Sequence, residues 1–141
     1  MNLDPHIEAS LKAIEVPSTL QDAKRPEALI LREVRRCGYS QDATFAIKLA
    51  LEEAIINAVK HGNHNDESKT VTVRYCVTPE QTVIVVRDQG GGFEPDKVPD
   101  PTAPDRLSLP DGRGIMLMRA YLTDLWYSPC GREVCLIKRN E

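Results

Sequence analysis

Residues 45–62 read FAIKLALEEAIINAVKHG, a helical pattern around which the rest of the chain can be organised. At about 100° per residue, Ile47, Leu51, Ala54, Ile55 and Ala58 fall on one apolar stripe suited to a core. Glu53 and Asn57 stand four apart, so they stack along one side of the helix, shared with Ala46, Ala50 and His61. The two alanines leave little bulk beside the carboxylate and the amide, which lets a ligand approach the helix flank. Taken alone, an E-x-x-x-N pair is most often a solvated helix face. Ser40 is placed to cap this helix and Gly62 to end it.

Before this helix, the spacing predicts a short strand over Leu11–Val16 and a helix over Leu20–Cys37, with Ala28, Leu29, Leu31 and Val34 facing the core. Gly38 suits the left-handed residue that follows a helix. After it, Thr70–Val77 alternates as a strand. The denser β-branched run Thr82–Arg87 reads as a central strand covered on both faces, with a hairpin at Thr78–Gln81. A helix from about Gly114 to Thr123 and strands over Leu125–Ser128 and Glu133–Lys138 close the chain.

Two glycine clusters flank the one unusual segment. Asp88-Gln89-Gly90-Gly91-Gly92-Phe93 follows the central strand, where glycines let backbone N–H groups come close to a ligand and a carboxylate can accept from the exocyclic amine of adenine. Asp111-Gly112-Arg113-Gly114 opens the next helix, whose free N–H groups favour phosphate. Between them, residues 94–111 hold five of the ten prolines and no periodic apolar face, the composition of a lid or a disordered loop. Neither a G-K-[ST] phosphate loop nor Rossmann glycine spacing is present.

Composition narrows the classes. A length of 141 residues fits one domain, 1–141, with one core, and the 41% hydrophobic and 28% charged residues are ordinary for a soluble protein. The net charge of −3 argues against direct nucleic-acid binding. No apolar run approaches the ~20 residues of a membrane span, and the amino terminus does not read as a secretory signal, so a cytoplasmic protein is expected. Cys37, Cys76, Cys130 and Cys135 form no close-spaced pair, which fits reduced thiols and not a zinc site.

Together the motifs are far more specific than separately. A helix with E-x-x-x-N, a hairpin, D-x-G-x-G-F, a long lid and G-x-G opening a helix resemble the GHKL (Bergerat-fold) ATPases, over about residues 10–139. The phrases LEEAIINAVKHGN and GRGIMLMRAYLTDL are most similar to the anti-sigma serine kinase branch. The resemblance implies an α+β two-layer sandwich: a mixed, mostly antiparallel sheet with about three helices on one face. It implies ATP and Mg²⁺, with Asn57 as the metal ligand and Glu53 as the catalytic base. Asp88 would read adenine, Gly90 and Gly92 would shape its pocket, and Gly112, Arg113 and Gly114 would meet the phosphates beneath a lid at 94–111. Arg113 and Arg106 are the candidates for a cation near the γ-phosphate.

As partners, the resemblance implies an anti-anti-sigma protein bearing the substrate serine and a sigma factor, with a capacity to form homodimers. Two departures stand out: Gly131 is followed by Arg132 where the family often has threonine, and Pro110 stands where some serine kinases carry arginine. A catalytically weak nucleotide-dependent binding module and a detached histidine-kinase catalytic domain are the alternatives.

Overall fold

The structure is a computed structural model that describes residues 3–90, 121–128 and 131–141. Within them the order is α1 (Pro5–Ser10), β1 (Lys12–Pro17), α2 (Lys24–Arg36), α3 (Gln41–Ile56), a π-helical turn (Asn57–Gly62), β2 (Thr70–Val77), β3 (Gln81–Arg87), β4 (Asp124–Tyr127) and β5 (Glu133–Arg139). The expected lid at 94–111, with Arg106, lies outside the described residues, as do Gly92, Gly112, Arg113, Gly114 and Cys130. So does the helix expected over 114–123, except for its last three positions.

The strands form one sheet in the order β1-β2-β3-β5-β4, and every pairing among the described residues is antiparallel. β3 sits at its centre with five consecutive buried residues, as its β-branched composition predicts. One face of the sheet presents Val71, Val73, Tyr75, Ile84, Val86, Val134 and Leu136 to α2 and α3. The helical stripe of Ile47, Leu51, Ala54, Ile55 and Ala58 is buried there in full, giving the α+β layering that the sequence implies. On α2 the inward face is Pro26, Ile30, Leu31 and Val34. Ala28 is exposed and Leu29 half-buried, and Ile30 lies in the core instead, because a helix this short leaves several residues near the boundary of its apolar face.

Helix ends follow local chemistry. Gly38 takes φ +77°, its N–H donating to Arg35 O (3.1 Å) and that of Tyr39 to Val34 O (3.4 Å), a Schellman stop for α2. Ser40 then starts α3, its Oγ accepting from Ala43 N–H at 3.0 Å.

α1 is not anticipated in the sequence reading. It lies on the other face of the sheet, where Leu3, Ile7 and Leu11 pack against Val83, Val85 and Cys135. Arg74 ties it down, reaching Glu8 at 3.1 Å and Glu133 at 3.3 Å. Burial under this cover pushes the Cys135 thiol up to about 12, with the nearby Glu133 acting in the same sense. Among the described residues no cluster of side chains could hold a metal ion by itself, and no helix is long and apolar enough to cross a membrane.

Candidate functional site

α3 carries the first half of the site. The Asn57 N–H donates to Glu53 O, so the α-helical repeat persists through both residues and stacks their side chains on one flank. Both are half-buried, and no hydrogen bond or ion pair among the described residues engages either side chain. Glu52 is also half-buried. Ala46 and Ala50 are covered (3% and 1% exposed), so they serve packing and do not form an open flank.

The helix does not stay α-helical to His61 as the sequence suggests. From Asn57 it widens into a π turn, closed by Asn63 N–H donating to Ala58 O at 2.8 Å. Such turns are rare and recur at functional sites. Here the turn delivers Gly62 and Asn63 to the end of β3. The Asp88 carboxylate lies directly against the Gly62 Cα, and Gly90 lies against the Gly62 carbonyl. Neither position has space for a side chain, so the glycines serve close approach between the two segments.

Asp88 forms the second half. It is 8% exposed, and its N–H donates to Arg132 O at 2.9 Å, which ties the end of β3 to the start of β5. Its Oδ1 accepts from Gly90 N–H at 2.8 Å. Burial pushes this carboxyl above its ordinary value of 3.8, against the Gly90 N–H and the charges of Arg132, Lys69 and Arg87. Arg132 thus meets the site through its backbone carbonyl at the position where a threonine was expected, with its side chain exposed.

The structure therefore brings Asp88 and Gly90 onto the last turn of the helix that bears Glu53 and Asn57. Asn57 and Gly62 are separated by roughly 7 Å along the helix axis. Among the described residues His61 is exposed and the three candidates Glu53, Asn57 and Asp88 share one element and its direct neighbour. Asn63 was missed. It is fully buried and joins this loop to β1 and β2, and the phrase HGN at a helix end, with a polar residue after the stop, was the only signal.

The donor set suits a magnesium nucleotide. A half-buried amide with no partner among the described residues is a hard oxygen ligand of the kind that Mg²⁺ takes beside phosphates and water. A shielded carboxylate at a strand end, with glycine on both sides of it in space, suits a planar base with an exocyclic amine.

Comparison with known proteins identifies the family. A family model described as a histidine kinase-like ATPase domain matches residues 16–138. The serine-protein kinase RsbW of Bacillus velezensis is 35% identical over 98 residues, 64% of this chain and 60% of that protein. RsbW of Bacillus subtilis is 30% identical over 97 residues, with the same coverage of 64% and 60%. RsbW of Oceanobacillus iheyensis is 28% identical over 96 residues, 64% of this chain and 61% of that protein. The matches span about three-fifths of the length of these relatives. With most of its length matched, from β1 to the end of the sheet, the chain belongs to the histidine kinase-like ATPase domain family.

Proposed function

We propose that residues 1–141 form one ATP-binding domain that acts in the cytoplasm as a serine-protein kinase on an anti-anti-sigma partner and holds a sigma factor when that partner is absent. The observation that carries the nucleotide part is the seating of Asp88 and Gly90 on Gly62, one helix turn beyond Asn57. The relatives' name, serine-protein kinase, supports the transfer part.

In this reading Asp88 accepts the exocyclic amine of adenine, and its burial keeps water from competing for the carboxylate. Asn57 offers its amide oxygen to Mg²⁺, which neutralises phosphate charge when bound. Glu53, one turn earlier, takes the proton from the serine hydroxyl as its oxygen bonds to the γ-phosphorus and ADP departs with the bridging oxygen. Gly92 would join Gly90 in shaping the adenine pocket, and Gly112, Arg113 and Gly114 would complete the phosphate side beneath a lid at 94–111. Family membership also favours dimers, and β1 offers an edge strand for pairing.

A second reading has one specific observation behind it. Arg132 stands where the family often has threonine, and its exposed side chain supplies no hydroxyl to the site, which suits a module that binds nucleotide without transferring phosphate. Calorimetric titration with ATP, with and without magnesium, beside Asn57→Ala tests the pocket. Magnesium-dependent binding that the variant loses supports it, and absence of binding to the wild type overturns both readings. Phosphate transfer from ATP to a serine-bearing partner then separates kinase from binder.

A further inference from the structure

Asn63 is a fully buried polar residue (0% exposed), and both ends of its amide are used. Its Nδ2 donates to Ser18 Oγ and to Thr70 O, each at 3.0 Å. Its Oδ1 accepts from Gln89 N–H at 2.7 Å, the shortest of the three. These partners belong to three separate pieces of chain: the residue after β1, the first residue of β2 and the loop after β3. Gln89 answers in kind, its Oε1 accepting from Thr70 N–H at 2.8 Å.

The geometry bears on Asp88. Holding Gln89 N–H fixes the plane of the Asp88–Gln89 peptide, and the Gly90 N–H on Asp88 Oδ1 then sets the carboxylate. A side chain here must accept in one direction and donate in another. Ionised aspartate has no donor, and an aliphatic residue has neither group, which leaves buried partners unsatisfied.

We propose that Asn63 is a positioning residue for base recognition: it latches the loop after β3 onto the π turn, so that Asp88 presents its carboxylate to adenine in one orientation. This rests on the reading that a nucleotide occupies the site. Asn63 touches no ligand in it and acts through Asp88. Adenine selectivity therefore depends on a residue outside the pocket.

The test measures ATP and GTP affinity by calorimetry for wild type, Asn63→Ala, Asp88→Asn and the double variant, each well below its own Tm. Asn63→Ala is expected to weaken ATP at least tenfold and leave GTP nearly unchanged, and the double variant to bind ATP no more weakly than Asp88→Asn alone. Asn63→Asp supplies the conservative arm. Its buried carboxyl, when protonated, accepts from Gln89 and donates to Thr70, so its ATP-over-GTP preference, taken relative to wild type at the same pH to remove the titration of Asp88 itself, should recover at acidic pH and fall as pH rises. If Asn63→Ala does not fold, this pH-dependent recovery decides the matter by itself. Unchanged ATP preference in a folded variant, additive losses, or a preference in Asn63→Asp that ignores pH would overturn the positioning role while leaving the nucleotide site intact. A wild type that binds neither nucleotide overturns the site itself, and this inference with it.

Discussion

The Gly62 Cα faces the Asp88 carboxylate with no room for a methyl group between them. Gly62→Ala must therefore displace the carboxylate or the π turn. Alanine is the better helix former by about 1 kcal/mol, so lost helix propensity cannot explain a weaker variant. ATP affinity is expected to fall at least tenfold, measured by calorimetry. Wild-type affinity would mean that the position of Asp88 is not critical to binding.

Glu53→Gln separates binding from chemistry. The amide keeps the size and the place on α3 but cannot accept a proton at neutral pH. ATP affinity should stay within about twofold, while transfer to a serine partner should fall by a factor of about 10²–10⁴. Single-turnover transfer with labelled ATP reads this directly, and an equal loss in both quantities would move Glu53 from base to binding group.

Asp88 should cost stability where it is charged. Burial raises its native pKa above the 3.8 of an unperturbed carboxyl, so the folded chain binds the proton more tightly than the unfolded one. Stability contributed by this group then falls as pH rises from 3.8 through the raised native value, and above that window the cost is constant. Asp88→Asn removes the cost and retains an oxygen for Gly90 N–H. Its Tm at pH 7 should exceed that of the wild type, by a gap that shrinks as pH is lowered, while ATP binding weakens. A lower Tm at pH 7 would show that the charge is stabilised by groups such as Arg132 more than burial penalises it.

Cys135 should be the slow thiol. With its pKa pushed up to about 12, only about one molecule in 10⁴ is thiolate at pH 8. In a Cys130→Ser background, a disulfide reagent should label the half-buried Cys37 and Cys76 first and reach Cys135 only as α1 leaves or the chain unfolds. Equal rates for all three would mean that α1 does not cover the sheet in solution.

Much of this was legible because the informative residues obey local rules. Ser40, Gly38 and the stripe from Ile47 to Ala58 answer to capping and helical period, so the stop of α2 and the start and inner face of α3 could be read from them. β3 announced itself by composition. Glu53, Asn57 and Asp88 could be named because motif order carries them. The rest depends on contacts between distant segments. No period marks the widening at Asn57, which goes with the Gly62–Asp88 contact and the bonds of Asn63. α1 is too short for a period to register, and it is held by packing on Val83 and Val85 and by the Arg74–Glu8 pair.

The strand order has a kinetic consequence. β2–β3 and β4–β5 are hairpins of neighbouring segments, whereas β3–β5 and β1–β2 join strands separated by more than forty residues of chain. Local hairpins close in microseconds, and long-range pairings come later. Asp88 therefore rides on an early hairpin, and Asn63, which bonds the neighbouring Gln89 N–H, completes its set of bonds only when β1 brings Ser18 into place. Assembly of the pocket becomes a late event, and its loss an early one on unfolding. Hydrogen exchange should accordingly be faster at Gln89 N–H than at the amides of β3, with equal protection at both meaning that sheet and pocket open as one unit.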